Sequence, residues 1–246
     1  MPDQRSVLIL GGGSDIGRAA GLAFAAKGWT VRLAGRDLQG LTREADDIRT
    51  RTGATVSVHR FDALDTPSFD GFLDGLPALP DAVVSAVGVL GDQGAAERDV
   101  AEATRIMRSN FEGPALILGL VANRFEARGS GTIVGISSVA GDRGRATNYI
   151  YGSAKAAFTA FLSGLRNRLA RKGVHVVTVK PGFVRTRMTA GMALPGLLTV
   201  DPDVVGNAIY AAVEKRTDVV YVARAWQPVM FAIRSIPERL FKTMKI

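Results

Sequence analysis

Tyr151 and Lys155 stand four residues apart in Tyr151-Gly152-Ser153-Ala154-Lys155, downstream of Ser138 in Ile136-Ser137-Ser138-Val139-Ala140-Gly141. A free phenol has a pKa of about 10 and is a poor acid at neutral pH. If the run is helical, residues i and i+4 share a face, and the lysine lies over the tyrosine. Its ammonium favours the phenolate, so the spacing predicts a tyrosine with a lowered pKa, able to give and take a proton. Such a pair suits a carbonyl that accepts a hydride and then needs a proton on its oxygen.

A second group of residues could hold the hydride carrier. Gly11-Gly12-Gly13-Ser14-Asp15-Ile16-Gly17 follows an apolar run and opens a helical pattern. Glycines there allow a tight turn and close approach to a diphosphate, and the helix start offers free N–H groups. Arg36 follows the next apolar run in Ala34-Gly35-Arg36-Asp37. An acidic residue in this region would bond an adenosine 2′-hydroxyl. With Gly35 in that slot, Arg36 can fork onto a 2′-phosphate, which favours NADPH over NADH, although Asp37 could neutralise it.

The elements that must position these residues follow from hydrophobic patterning. Runs at Val7–Leu10, Thr30–Ala34, Val56–His59, Ala82–Ala86, Thr132–Ile136, Val174–Lys180 and Val219–Val222 read as strands buried on both faces. Helical patterns at Ile16–Lys27, Leu38–Thr50, Glu97–Phe125, Tyr149–Arg171 and Val204–Lys215 fall between them. The alternation predicts an α/β fold, a single-domain Rossmann-type doubly wound parallel sheet of about seven strands with helices on both faces. Residues 1–225 read as the NAD(P)-binding domain with its catalytic site, and 226–246 as a basic amphipathic extension of it.

Composition narrows the class. The 246 residues hold no cysteine, which excludes disulfides, thiolate metal sites and cysteine nucleophiles. His59 and His175 are separated and lack a carboxylate cluster, so no metal is expected. No apolar run reaches the roughly 18 residues of a spanning helix, and Val7–Leu10 is too short for a signal peptide, so a cytoplasmic location is expected. The net charge of +8 and pI near 10.2 suit an anionic partner. No nucleic-acid module is visible, and no nucleic-acid partner is expected. From Trp226 the chain is apolar and basic, with Phe241 and Met244 among Arg234, Arg239, Lys242 and Lys245, and Pro237 splits it. Two readings stand: a face packed on the protein or another subunit, or a peripheral contact with the inner face of an anionic membrane.

Taken together, these motifs resemble the short-chain dehydrogenase/reductase family over nearly the whole chain through Thr186. The resemblance implies a catalytic set of Asn110, Ser138, Tyr151 and Lys155. Ser138 would hold the carbonyl oxygen, Tyr151 would protonate it, Lys155 would also bond the nicotinamide ribose, and Asn110 would hold a relay water. Ser138 rather than Ser137 matches the spacing to Tyr151. The implied cofactor contacts are Gly11, Gly13, Ser14, Asp15, Ile16, Gly17, Arg36, Asp62, Ala63, Ala86, Gly88, Tyr151, Lys155, Pro181, Gly182, Val184 and Thr186. Leu10 and Asp15 depart from the family's glycine motif; Asp15 is expected to cap the helix and point away. Stretches such as Phe61–Thr66 and Arg185–Met188 are similar to a subgroup of 2-keto-reductases acting on decaprenyl-phospho-pentofuranose. That likeness implies a lipid-linked ketone supplied by a flavoprotein oxidase. A soluble acyl or small carbonyl substrate, and a non-catalytic dinucleotide-binding regulator, are the alternatives. Arg185 and Arg187 are read either as binding a substrate phosphate or as surface charge. The family's long helices imply a homodimer or homotetramer.

Overall fold

The computed structural model describes residues 4–244. Seven strands form one parallel sheet: β1 (Ser6–Leu10), β2 (Thr30–Gly35), β3 (Val56–Arg60), β4 (Ala82–Ser85), β5 (Gly131–Ile136), β6 (Val174–Pro181) and, after a separate two-stranded ladder of β7 (Phe183–Val184) with β8 (Thr199–Val200), β9 (Val219–Val222). Their order is β3-β2-β1-β4-β5-β6-β9, with every pairing parallel. β1, β4 and β6 are buried along their whole length, because helices cover both faces. The order reverses on either side of β1, so a crevice opens beyond the carboxyl ends of β1 and β4.

One face is covered by α1 (Asp15–Ala25), α2 (Leu38–Thr52) and, late in the chain, a helix at Pro202–Glu214; its core includes Phe24, Trp29, Leu33, Ile48 and Ile209. The other face carries α3 (Phe69–Asp74) and helices at Gly113–Arg128 and Tyr149–Leu169, around Phe69, Ile117, Phe125, Phe158 and Leu162. Local chemistry sets the helix starts. Ser14 caps α1 by accepting from the Gly17 N–H at 3.0 Å, and Asp37 caps α2 by accepting from Gly40 N–H at 3.0 Å.

The helix expected over Glu97–Phe125 is instead a composite. After a short turn of helix, α4 (Gln93–Ala96), Asp99 caps α5 (Val100–Met107), a π-helical segment spans Arg108–Glu112, and α6 (Gly113–Arg128) follows. Pro114 has no N–H to give to the carbonyl of Asn110, four residues earlier, and the helical register widens there. Periodicity alone does not reveal such a shift. α7 is the Tyr149–Leu169 helix and α8 the Pro202–Glu214 helix.

The end of the chain folds onto the domain as α9 (Trp226–Ser235) and α10 (Glu238–Phe241), parted at Pro237 as expected. Trp226 and Met230 are buried against Val139 and pack with Phe183 and Tyr221. Arg143 lies 4.0 Å from the centroid of the Phe241 ring and donates to the carbonyls of Arg234 at 3.0 Å and Ile236 at 2.9 Å. Phe231 and Leu240 stay exposed. Lys245, one of the basic residues of this segment, lies outside the described residues. Among the described residues no helix is long and apolar enough to cross a membrane.

Candidate active site

The glycine turn carries the chain from β1 into α1. Gly11 sits at φ +80°, and a Cβ there would meet the Ala86 carbonyl oxygen at 2.8 Å. Gly17 packs beneath the turn, where a Cβ would come within 2.3 Å of the Gly11 carbonyl oxygen. The turn hangs on β2 through the Gly11 and Gly12 N–H groups, both of which donate to Ala34 O. Leu10, at the motif's threonine position, is fully buried in the sheet.

Asp15 departs from expectation. Ser14 is the cap, and the Asp15 carboxylate accepts from the Arg187 backbone N–H at 2.7 Å and from Arg187 Nε at 2.9 Å. The other arm of Arg187 donates to the Gly13 carbonyl at 2.6 Å. Arg187 therefore ties the segment after β7 to the glycine turn. Arg185 is also engaged, with Asp201 at 2.8 Å. Both arginines are exposed and carry these ion pairs, and Arg187 borders the cavity lined by Ser138 and Tyr151.

Beyond the turn lies a cavity of about 780 Å³, walled by Gly11, Gly13, Arg36, Asp62, Ala63 and Gly88. Asp37 does not neutralise Arg36, because its carboxylate is turned back to cap α2. Arg36 is exposed and has no ion-pair partner among the described residues. Asp62 is fixed by accepting from the Leu64 N–H at 3.0 Å. A cradle too tight for side chains and a helix start fit the diphosphate of an elongated dinucleotide.

Ser14, Ala86 and Gly88 also border a second cavity of about 400 Å³, lined by Asn110, Ser138, Tyr151 and Lys155. Ile16, Asp15, Pro181, Gly182, Val184 and Thr186 are on its walls, so the expected cofactor residues surround one connected space, apart from Gly17 beneath it. α7 puts Tyr151 and Lys155 in its first two turns, and Lys155 Nζ lies 5.7 Å from the Tyr151 ring centroid. Lys155 Nζ donates to Ile136 O at 3.0 Å. Asn110 sits in the π segment, fully buried, and its Nδ2 donates to Val89 O at 2.6 Å and Ile106 O at 2.9 Å. Its Oδ1 has no partner among the described residues. A Cβ on Gly88 would sit 2.6 Å from that oxygen and 3.2 Å from Lys155 Nζ, so asparagine and lysine converge at this glycine. Ser137 is turned away, bonded to Lys155 O at 2.9 Å and Thr159 Oγ1 at 2.7 Å. The turn after Ser138 is pinned by Asp142, which accepts from Lys180 Nζ at 2.5 Å and from the Tyr221 hydroxyl at 2.7 Å.

The electrostatics differ from the sequence expectation. Burial pushes the Tyr151 phenol up to about 12, and the hydrogen bond with Ser138 only partly opposes this. Burial also pulls Lys155 down to about 8. Tyr151 is partly accessible along the cavity, yet desolvation of the phenolate is the dominant effect on it. The expected lowering of the tyrosine is therefore not present in the protein alone.

The histidines stand apart from these cavities. His59 Nε2 is 2.9 Å from Ser57 Oγ, and His175 Nε2 is 3.2 Å from Asp218. Sequence reasoning missed two parts of the wall. Trp226 lines the cavity and donates from Nε1 to Leu198 O at 3.0 Å, although its segment reads as peripheral. Arg145 and Asn148 also line it, from an irregular loop with no periodic signal.

Comparison with known proteins agrees with this geometry. The family model described as short chain dehydrogenase matches residues 5–194. An uncharacterized oxidoreductase of Mycobacterium tuberculosis strain H37Rv is 36% identical over 241 residues, covering 97% of this chain and 96% of the relative. An uncharacterized oxidoreductase of Streptomyces coelicolor is 36% identical over 247 residues, covering 98% and 96%. The solved structure of a short-chain dehydrogenase from Sphingobium yanoikuyae in complex with NADPH superposes with a TM-score of 0.81 at 25% identity, covering 98% of this chain and 96% of that one.

Proposed function

Because the chain belongs to the short-chain dehydrogenase family and is an NAD(P)-dependent oxidoreductase, we propose that it reduces a ketone to a secondary alcohol, with Tyr151 as the proton donor. The observation that carries this reading is the meeting of Tyr151, Lys155 and Ser138 in one cavity that opens onto the glycine turn. A bound reduced nicotinamide supplies the hydride. Ser138 holds the carbonyl oxygen and donates to it as negative charge develops. Tyr151, kept as a neutral phenol by burial, gives that oxygen its proton. Lys155 is an ammonium at neutral pH, stabilises the phenolate left behind and returns a proton to it. Asn110, facing Lys155 across Gly88, holds a water that donates to its free Oδ1 and passes protons on to the lysine. Loss of NADPH absorbance with a panel of ketones tests the proposal. Tight NADPH binding without turnover of any ketone would instead favour a non-catalytic regulator.

NADPH is the cofactor this reading prefers, on the strength of Arg36. Arg36→Ala is expected to raise the KM for NADPH by about 10- to 100-fold, the range of a charge-assisted contact, and to leave the KM for NADH within about threefold. Steady-state kinetics with both cofactors decides; equal losses for the two would remove Arg36 from the 2′-phosphate site.

The substrate is an amphiphile on this reading, because Leu90, Val139, Phe183, Met188, Met192 and Trp226 give the cavity apolar walls. The narrower proposal is the 2-keto form of a polyprenyl-phospho-pentofuranose, delivered by a flavoprotein oxidase at a membrane surface. The cavity's volume of about 400 Å³ also favours a second reading, a compact soluble acyl or small carbonyl substrate. Leu116 is half exposed on α6, with Leu120 and Phe161 only partly buried nearby, which supports a homodimer or homotetramer through α6 and α7.

A further inference from the structure

Three cations border the catalytic cavity, and two of them are engaged. Lys155 donates to Ile136 O, and Arg187 is held by Asp15 and Gly13. Arg145 is different. Its Nε is buried without a hydrogen-bond partner, and its guanidinium has no ion pair among the described residues. Burial with no carboxylate beside it pulls its pKa below the usual arginine range, yet a guanidinium stays charged at any working pH.

A second orphan sits in the same wall. Asn148 occupies the N-cap position of α7, where an asparagine normally accepts from the helix's first N–H groups. Its side chain makes no such bond, and its Oδ1 is buried without a partner among the described residues. Both residues line the cavity that holds Tyr151 and Ser138. The buried Nε of Arg145 lacks an acceptor, which is unfavourable, and an anionic group on a ligand would supply one; the Asn148 oxygen, itself an acceptor, would instead take a hydrogen bond from a ligand hydroxyl or N–H.

We infer that Arg145 is the recognition site for an anionic group, a carboxylate or a phosphate, on an otherwise apolar substrate. This rests on the ketone reductase reading and deepens it. The apolar walls take the body of the substrate, and Arg145 fixes its charged group and so decides which carbonyl faces Tyr151. A planar guanidinium suits this task, because it can fork onto either oxyanion.

The test needs no turnover, so it separates this inference from the reductase reading. Trp226 lines the cavity, and its fluorescence can be titrated in the full-length protein saturated with NADP+, using octanoate, octyl phosphate and neutral octanamide. The wild type is expected to bind one of the anions at least about tenfold more tightly than octanamide. Arg145→Gln is expected to bring that ratio to about one, and Arg145→Lys to retain part of it. Preference for octanoate would identify a carboxylate and preference for octyl phosphate a phosphate; either supports the inference. Equal binding of anions and octanamide by the wild type, or an anion preference that survives in Arg145→Gln, overturns it. Should the ketone panel fail while Arg145-dependent anion binding holds, the reductase reading falls and the anion site stands.

Discussion

Tyr151→Phe is expected to lower kcat for ketone reduction by about 10²- to 10⁴-fold, the contribution of a positioned general acid. The substitution keeps the ring that packs with Ile106 and Ile150 and removes only the hydroxyl. Binding of NADPH should change little, because the glycine turn and Arg36 are untouched. The fall should therefore appear in kcat at saturating cofactor and ketone, with the thermal transition of the variant at or above that of the wild type. Turnover within a few-fold of wild type would show that another group delivers the proton.

The second large effect concerns Lys155, where catalysis and stability oppose each other. Burial lowers its pKa from 10.5 to about 8, so the folded protein resists protonating a side chain that the unfolded chain protonates freely. Below about pH 8 the ammonium is carried in both states, and its burial costs the folded state up to about 3 kcal/mol. Between about pH 8 and 10.5 the unfolded chain binds more protons than the folded one, so stability rises with pH across that window and the cost disappears. Lys155→Met fills the same space without the charge. It leaves the Ile136 carbonyl without its donor, a loss of about 1 kcal/mol. The variant should be more stable than wild type by about 1–2 kcal/mol at pH 7, with the gain fading as pH rises towards 10.5. Its kcat should drop at least about 100-fold. Denaturant titrations of both proteins at pH 7 and pH 10 provide the check. A variant destabilised at neutral pH would mean that the ammonium is better solvated in the folded protein than its burial implies.

Much of the fold was legible in the sequence because the information was local. Seven short apolar runs became the seven strands of the main sheet, and the glycine turn and Pro237 fell where backbone chemistry demanded. The residues expected to do chemistry surround one space because β1, β4, β5, β6 and α7 all end or begin at the same edge of the sheet. Properties that depend on distant partners were not legible. Asp15 reads as a cap until Arg187, 172 residues away, is seen to occupy its carboxylate. The tyrosine's acidity was judged from the adjacent ammonium, while the surrounding protein sets it through desolvation. The break at Asn110 arises from a proline four residues on, within a run whose hydrophobic rhythm continues. Arg145 gave no signal, since an arginine in an irregular loop looks like surface charge until its surroundings are known.

The bridge from Arg187 to Asp15 and Gly13 gives the two ends of the site a common hinge pin. A ligand that favoured one arrangement of the glycine turn would bias, through that arginine, the segment of Thr186 and Met188 beside the neighbouring chamber. The reverse bias has the same size, because a coupling free energy between two binding events has no direction. Through this one pair of opposite charges, occupancy of the nucleotide groove would be felt as affinity where the carbonyl compound enters.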